Sequence, residues 1–368
     1  MKIIILKSNF KSGLDAVGKT LGVNTNLPIL SNVLIQTENN KIKFSTTNLE
    51  VAVTKIVSGK IIEDGSLTIP FSLLSNIINN INTERINLES KDNNLVIKTD
   101  NYEATIQGID KNEYPIIPTI EGEKETLDVK TSFLKDGLSK TIVAAEVSDL
   151  RPEISGVLFW IEQKSFRLVA TDSFRLSEYT FPSGQYKNGF SEEKKVTVPM
   201  RTAQEVLRIA GEDEDLKISV DETQILFATE SMEIISRTIE GDFPDYQSII
   251  PKEHDTRVIV DREELINGVK LASSFSGRGS ELTLKTKNQK VVEIHSSDSS
   301  LGGNKYLISA KIEGPDTDII YNWQFLLDGL KSDSSKEVLL ELNGEEKPTT
   351  IKTPSGSSHF YILMPIRP

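Results

Sequence analysis

The chain has 368 residues and no cysteine, which excludes disulfides and thiolate metal sites. This length predicts two or three domains, and 37% apolar with 26% charged residues is normal for a globular protein. The net charge of −12 argues against binding to duplex phosphates if that charge is spread evenly over the surface.

The N-terminal stretch MKIIILKSNF predicts a first β-strand. It is too short for the core of a signal peptide and lacks a small-residue cleavage site, and no apolar run approaches the roughly 18 residues of a membrane span. We therefore expect a cytoplasmic protein. The chain has three histidines, His254, His295 and His359, and none is spaced like a metal pair, so no metal or cofactor is expected.

Amphipathic patterns predict six helices along the chain. Their ranges are 7–21, 70–81, 130–146, 199–211, 261–274 and 322–332. These helices carry eleven Lys or Arg and eight Asp or Glu, a net of +3, so the remaining residues carry −15. Basic surface helices are common for solubility alone, but the same asymmetry suits weak, salt-sensitive contact with a polyanion.

Three sets of landmarks recur at a nearly constant interval and predict a threefold repeat. Gly13, Gly137 and Gly268 lie within similar helix openings, at intervals of 124 and 131. The second set, Pro70, Pro199 and Asn322, ends a short strand where a helix begins, with proline expected at the first helical position and asparagine as an N-cap. The third set is Pro115 and Pro244, with Pro365 in a similar place.

The segments between the landmarks alternate like strands, as in NVLIQT, KIKFSTT, FRLVATD and ELTLKT. Each repeat therefore reads as one helix, several strands, a second helix and more strands. This order is not an alternation of strand and helix, so we predict an α+β fold with mainly antiparallel sheets. The predicted domains are 1–124, 125–252 and 253–368, with polar linkers between them.

The segment ATDSFRL, at 170–176, lies between two predicted strands. It predicts a turn in which Asp172 and Ser173 cap the backbone by side-chain hydrogen bonds. A Ser173 nucleophile would need a base within hydrogen-bond reach, and no histidine is adjacent in sequence. A hydrolase that uses Asp172 and Ser173 nevertheless remains one alternative, and a repeat scaffold that binds a protein or carbohydrate is another.

The chain resembles the bacterial sliding clamps, the beta subunits of the replicative DNA polymerase. The resemblance rests on NLPILSNVLIQ, TTNLEVAV, VATDSFRLS, EGDFPDYQSIIP and YILMPIRP, which occur in order and span the chain. It implies a non-catalytic protein whose three-domain subunits pair head to tail as a homodimer. The closed ring, with twelve helices lining its hole, would encircle duplex DNA without sequence preference. Such a ring is opened by an ATP-driven clamp loader and tethers the polymerase catalytic subunit and other replication and repair proteins.

The resemblance also implies a hydrophobic pocket that captures short peptides from those partners. One predicted wall is Ile154, Thr171, Ser173, Phe174, Arg175 and Leu176. The opposite wall is Pro244, Ile249, Pro348, Ile362, Met364, Pro365, Ile366 and Arg367, with Phe325 nearby. Arg175 and Arg367 are expected to bind acidic or carbonyl groups at the rim.

Two further sets of residues follow from the resemblance and the helix charges. The residues expected to face DNA are Lys7, Lys11, Asn24, Lys140, Arg151, Arg201, Arg208 and Lys331. At the subunit interface, Ala104 and Ile106 are expected to face Phe275. The chain departs from the family at Phe174, where histidine is usual, at Ser173, where glycine is common, and at Asn24, where some members have a DNA-contacting arginine. Pro152 and Glu153 also replace DNA-contacting tyrosines of some members.

Overall fold

A computed structural model describes residues 1–22, 27–120, 125–211, 213–356 and 358–367. Six α-helices lie in these ranges: α1 (Lys7–Val17), α2 (Phe71–Asn80), α3 (Thr131–Thr141), α4 (Met200–Ile209), α5 (Arg262–Ser273) and α6 (Trp323–Lys331). All six helices that the sequence predicts are therefore present. With the observed bounds they hold nine Lys or Arg and six Asp or Glu, which leaves their net charge at +3.

The strands make up most of the remaining regular structure. Those up to the end of α3 are β1 (Lys2–Leu6), β2 (Asn32–Glu38), β3 (Lys41–Thr47), β4 (Val51–Val57), β5 (Gly59–Glu63), β6 (Ser66–Pro70), β7 (Arg85–Lys91), β8 (Asn94–Lys98), β9 (Glu103–Gln107) and β10 (Leu127–Lys130). The middle of the chain adds β11 (Gly156–Glu162), β12 (Ser165–Thr171), β13 (Arg175–Thr180), β14 (Tyr186–Asn188), β15 (Lys194–Pro199), β16 (Asp215–Val220), β17 (Gln224–Ala228) and β18 (Met232–Arg237). The last group is β19 (Thr256–Asp261), β20 (Glu281–Lys287), β21 (Val291–Asp298), β22 (Gly302–Glu313), β23 (Asp318–Asn322), β24 (Glu337–Leu342), β25 (Thr349–Lys352) and β26 (His359–Leu363).

The chain divides into two compact units, of which the first holds residues 1–132 and 208–238. One of its sheets has the strand order β5-β1-β7-β8-β9, and the other contains the run β10-β16-β17-β18-β4-β3-β2-β6. The strand pairs within these two sheets are antiparallel, as predicted. Helix α1 buries Phe10, Leu14 and Val17 against this unit, and the Phe10 and Phe44 rings lie 5.2 Å apart.

The second unit holds residues 133–207 and 239–368. Its twelve-stranded sheet has the order β15-β11-β12-β13-β26-β25-β24-β19-β22-β21-β20-β23. Within this sheet β13 pairs antiparallel with β26, which places Arg175 opposite Leu363 and Leu176 opposite Ile362. Strands from the second and third predicted repeats therefore share one continuous hydrogen-bond ladder.

The repeating glycines have a common packing role. A Cβ atom added at Gly13 would lie 2.8 Å from the Phe44 ring, one at Gly137 would lie 2.9 Å from an aromatic ring, and one at Gly268 would lie 3.0 Å from the Tyr306 ring. Real Cβ atoms almost never come closer than 3.0 Å, so a side chain at Gly13 or Gly137 would force a shift, and one at Gly268 would require the Tyr306 ring to move slightly. The landmark glycines thus mark equivalent helix–sheet contacts.

Three details of the predicted helices need correction. Pro70 and Pro199 are the last residues of β6 and β15 and precede the helices, because they remain paired in the sheet. The first helix ends at Val17 rather than residue 21, and α3 ends at Thr141, after which a 3₁₀ turn replaces the α-helix. Asn322 is an N-cap as predicted, since its side chain accepts a hydrogen bond from the Gln324 N–H at 2.9 Å.

Candidate functional site

The turn between β12 and β13 is held by its own side chains. The Asp172 Oδ1 atom accepts hydrogen bonds from the N–H groups of Phe174 and Arg175, both at 2.9 Å. The Thr171 hydroxyl donates to the Arg175 carbonyl at 2.7 Å. The predicted capping role of Asp172 is thus confirmed. These bonds direct the Phe174 side chain outward, where 61% of the residue's surface is exposed.

Ser173 does not cap this turn with its hydroxyl, contrary to the prediction. Its Oγ atom instead accepts a hydrogen bond from the Arg151 guanidinium at 2.7 Å. The backbone φ of Ser173 is +80°, in the left-handed region that favours glycine. Ser173 therefore holds a strained backbone and receives a bond from a neighbouring loop.

Arg175 is committed to contacts within the chain. Its Nε donates to the Asp172 carboxylate at 2.7 Å, its Nη1 donates to Asp328 at 2.6 Å, and its guanidinium lies 4.2 Å from the centroid of the Phe325 ring. Burial lowers the pKa of Arg175, but the surrounding acidic groups, Tyr361 and the two carboxylates, outweigh burial and raise it. The Nε and Nη1 atoms of Arg175 are therefore engaged within the chain, and the guanidinium helps to position Phe325. Contact of Arg175 with an acidic or carbonyl group of a partner stays a prediction.

The C-terminal segment crosses this turn and is fixed at two points. The Met364 N–H donates to the Phe174 carbonyl at 2.8 Å, and the Ile366 N–H donates to the Ile320 carbonyl at 2.8 Å. Met364 and Ile366 are half-buried, so each presents part of its side chain to solvent. Phe174 and Phe325 lie beside this segment with ring centroids 6.5 Å apart and nearly parallel planes. We call the exposed apolar surface of Phe174, Phe325 and Met364 the Phe174 patch.

The predicted pocket residues separate into a buried floor and an accessible surface. The buried members are Ile154, Thr171, Leu176, Ile362 and Pro365. The half-buried members are Arg175, Pro244, Phe325, Pro348, Met364 and Ile366. The exposed members are Ser173, Phe174, Ile249 and Arg367. A peptide could therefore contact the second and third groups, while the first group supports them from below.

Two of the buried pocket residues, Leu176 and Ile362, belong to a well-packed cluster. Leu176 and Ile362 are each 1% exposed and pack with Leu158, Val169 and Tyr246. The Tyr246 hydroxyl donates to the buried Glu178 carboxylate at 2.6 Å, and burial, reinforced by that carboxylate, raises the pKa of Tyr246. This bond anchors the 243–250 segment, which carries Pro244 and Ile249, on the sheet.

Sequence reasoning missed Asp328, Tyr246 and Glu178 as supports of this site. Asp328 lies 153 positions from Arg175 and carries no local motif that indicates the contact. Its place in a predicted helix, three residues after Phe325, is the one signal that could have suggested it.

Four of the predicted DNA-facing cations are engaged within the chain. Lys7 donates to the Ile81 carbonyl at the end of α2, and Arg208 donates to the Ala16 carbonyl in the last turn of α1 at 2.9 Å. Lys140 pairs with Asp136 at 2.8 Å, and Arg151 pairs with Glu153 at 3.2 Å. The two ion pairs reduce the charge that Lys140 and Arg151 offer to phosphate, whereas the bonds of Lys7 and Arg208 to neutral carbonyls hold these side chains in place without cancelling their charge.

Three other predicted DNA-facing residues, Lys11, Arg201 and Lys331, are exposed on their helices. They are accordingly the members of the predicted set that offer the most accessible positive charge. Asn24 lies outside the described residues.

The predicted interface strand β9 exposes a polar face. Glu103, Thr105 and Gln107 are exposed, whereas Ala104 is half-buried and Ile106 is only 2% exposed. Phe275 is half-buried. Ile106 therefore offers little apolar side-chain area to another chain, and contacts along β9 would involve its backbone and polar face.

The Asp172–Ser173 hydrolase has no geometric support in this turn. The Asp172 carboxylate is occupied by two backbone N–H groups and Arg175. A serine–histidine contact does occur between Ser177 and His359 at 2.9 Å, but the two residues are 0% and 3% exposed. A substrate could not reach that pair without opening the sheet.

No helix in the described part of the chain is long and apolar enough to cross a bilayer.

Comparisons with known proteins match the whole chain to one family. The model of the DNA polymerase III beta subunit N-terminal domain matches residues 1–118, that of the central domain matches 128–245, and that of the C-terminal domain matches 247–367. The beta sliding clamp of Bacillus subtilis is 26% identical over 384 residues, covering 100% of both chains. That of Synechocystis is 26% identical over 392 residues, covering 100% of this chain and 99% of the relative.

Solved structures share the same fold. The DNA polymerase sliding clamp of Bacillus subtilis superposes with a TM-score of 0.94 at 26% identity, covering 100% of this chain and 99% of that one. A DNA polymerase sliding clamp of Pseudomonas aeruginosa has a TM-score of 0.94 at 22% identity, with full coverage of both chains, and adds support for the fold alone.

Proposed function

This chain belongs to the DNA polymerase III beta subunit family, and from that premise we propose that it is a sliding clamp, a processivity factor for DNA polymerase. The observation that carries the proposal is the match of the N-terminal, central and C-terminal domain models, in order, along nearly the whole chain. A clamp acts by enclosing DNA and tethering an enzyme to it, so the protein itself needs no catalytic group. We propose that it is not an enzyme and that it works with the replication machinery in the cytoplasm.

The functional form in this proposal is a head-to-tail homodimer closed into a ring. Three domains per chain, with the proposed limits 1–124, 125–252 and 253–368, would supply six similar domains and twelve helices. Ala104 and Ile106 on β9 would meet Phe275 of a second chain. Heterologous contacts of this kind close into a ring when the rotation between subunits permits it.

The distribution of charge supports weak contact with duplex DNA. The helices keep a net charge of +3 on a chain of −12, and Lys11, Arg201 and Lys331 on them are exposed. A few phosphate contacts bind without reading sequence and weaken as salt rises. A ring that must slide benefits from this weakness, because enclosure rather than affinity retains it on DNA.

The Phe174 patch is the proposed docking site for partner peptides. It combines exposed aromatic surface with the adaptable Met364 side chain, and it is held in place by the Met364–Phe174 backbone hydrogen bond and by Arg175 against Phe325. The proposed partners are the polymerase catalytic subunit, the clamp loader and other replication and repair proteins that carry a short apolar motif. Arg367, which is exposed, remains available to pair with an acidic group at the rim.

Retention on circular DNA tests the proposal. The protein, loaded by a clamp loader, should stay on a nicked circular duplex during gel filtration at high salt and should leave once the circle is linearised. Native mass measurement should give a dimer of about 82 kDa, twice the 41.0 kDa chain. Equal retention on linear and circular DNA, or a monomer at micromolar concentration, would contradict the proposed ring.

A further inference from the structure

The turn at 47–51 reproduces the turn at 171–175, which lies 124 positions further along the chain. The Asn48 Oδ1 atom accepts hydrogen bonds from the N–H groups of Glu50 and Val51 at 3.0 and 2.9 Å, as the aspartate does in the later turn. The threonine that opens each turn donates its hydroxyl to the carbonyl four residues on, at 3.1 Å in the earlier turn and 2.7 Å in the later one. The two turns are therefore the same backbone device.

The equivalence extends to the residue with a positive φ angle in each turn and to the segment that crosses each turn. Leu49 has a φ of +78°, close to the +80° of its counterpart Ser173. The Arg237 N–H donates to the Glu50 carbonyl at 3.0 Å, just as the Met364 N–H donates across the later turn. The first unit thus contains the framework that carries the Phe174 patch in the second unit.

An open groove lies beside this turn in the first unit. Leu176 directly follows the later turn, but the corresponding residue here is Ala52, whose side chain is shorter. A cavity of about 370 Å³ lies beside it, lined in part by Leu49, Pro115, Ile116 and Ile235. Ile116 is 94% exposed and Leu49 is 47% exposed, so the groove has an apolar rim as well as an apolar floor. We call this site the Ile116 groove.

The charges at the groove specify what kind of segment would fill it. Arg237 lines the groove and is exposed, and among the residues that the structure describes no carboxylate lies within ion-pair distance of its guanidinium. Glu50 lines the same groove and is also exposed. A ligand with an acidic group would complement the unpaired arginine, whereas the glutamate would oppose that group from the other side of the turn.

We propose that the Ile116 groove binds an extended peptide in which an aliphatic or aromatic anchor adjoins an acidic residue. The anchor fills the space beside Ala52, and the acidic side chain pairs with Arg237. A cavity of about 370 Å³ accommodates a few side chains, which suits a linear segment better than a folded surface. The proposal rests on the proposed function in that the Phe174 patch, built on the same framework, is taken as a peptide site.

Isoleucine methyl spectra of the full protein distinguish the two sites. Ile116 and Ile235 report on the Ile116 groove, while Ile249 and Ile366 report on the Phe174 patch, each assigned by isoleucine-to-valine substitution. The probe is the synthetic peptide acetyl-Leu-Asp-Leu-Phe-amide, and its control carries lysine in place of the aspartate. We expect saturable shifts of the Ile116 methyl with the acidic probe and much smaller shifts with the lysine control.

Charge variants identify the contact. Arg237→Glu should weaken binding at the Ile116 groove about tenfold, and Glu50→Gln should strengthen it about twofold, because opposite charges attract and like charges repel across the groove. Arg278→Glu is the matched control, an exposed arginine in the second unit and outside both sites, and it should leave the Ile116 titration unchanged. All three substitutions are at exposed positions, so the fold should be retained.

Each outcome has a definite consequence. Shifts confined to Ile249 and Ile366 would overturn this inference and leave the proposed peptide site intact. Shifts confined to the Ile116 groove would support the inference and count against the Phe174 patch. Concentration-dependent changes at Ile116 without any probe would identify a second copy of the chain as the occupant and overturn the peptide proposal, as would an Arg237→Glu titration equal to that of the unaltered protein.

Discussion

Acid should destabilise the second unit through His359. This residue on β26 is 3% exposed, and its Nε2 atom lies 2.9 Å from the Ser177 hydroxyl. Burial lowers the pKa of His359 from 6.5 to about 4, the dominant influence among several weaker charges nearby. The unfolded chain therefore binds a proton at a higher pH than the folded chain does.

The sign and size of the effect follow from this difference. The stabilising contribution is complete above about pH 6.5 and is lost as the pH falls towards about 4, because only the unfolded state is protonated in that window. A difference of about 2.5 pKa units corresponds to about 3 kcal/mol at most, of which about 2 kcal/mol is lost by pH 5. That loss is a substantial part of the stability of an ordinary domain.

Urea unfolding followed by tryptophan fluorescence measures the effect. The chain has two tryptophans, Trp160 and Trp323, and both lie in the same unit as His359, so their signal reports on that unit. The free energy of unfolding of the wild type should fall more steeply between pH 6.5 and 4.5 than that of His359→Gln. His295→Gln, at a half-buried histidine on β21, is the matched control and should keep the wild-type slope. Parallel pH profiles for the wild type and His359→Gln would refute the reasoning.

Three further predictions concern the Phe174 patch and its supports. Phe174→Ala should weaken binding of an apolar clamp-binding peptide by tenfold or more, measured by calorimetry, with an unchanged melting temperature because the side chain is 61% exposed; equal affinity would exclude Phe174 as an anchor. Asp328→Asn should lower the free energy of unfolding in urea by about 1 kcal/mol and should also weaken binding of the peptide, because it removes one of the two carboxylates that hold Arg175. If neither the stability nor the peptide affinity changed, the positioning role of Arg175 would be excluded. Ser173→Gly should be neutral or stabilising by up to about 1 kcal/mol because it relieves the +80° φ, while Ser173→Val should destabilise; the opposite order of melting temperatures would rule out backbone strain.

The general architecture was predictable because its signals are local and repeated. Amphipathic periodicity indicated all six helices, and the recurring Gly13, Gly137 and Gly268 mark real helix–sheet contacts. The Asp172 cap was predictable because an aspartate accepts hydrogen bonds from N–H groups two and three residues ahead of it. Helix ends were less predictable: a proline suits a first helical position, yet Pro70 pairs in the sheet instead.

The contacts of individual side chains were not predictable in the same way. The Arg175–Asp328 pair joins residues far apart in sequence, and the burial of Ile106 depends on which face of its sheet is turned towards the core. The role of Lys7 in binding the end of α2 likewise depends on the packing of two helices that the sequence shows only separately. Charge type was therefore predictable from sequence, but its availability to a ligand was not.

The continuous twelve-stranded sheet has a mechanical consequence. The Phe174 patch lies at the end of the β13–β26 strand pair, whose two strands come from different parts of the chain. A partner that pulls on the patch would exert force on several hydrogen bonds between β13 and β26 at once. These bonds must break together before the two strands separate. We therefore expect the sheet of the second unit to deform little under such a force, and the loops at its edges to deform more.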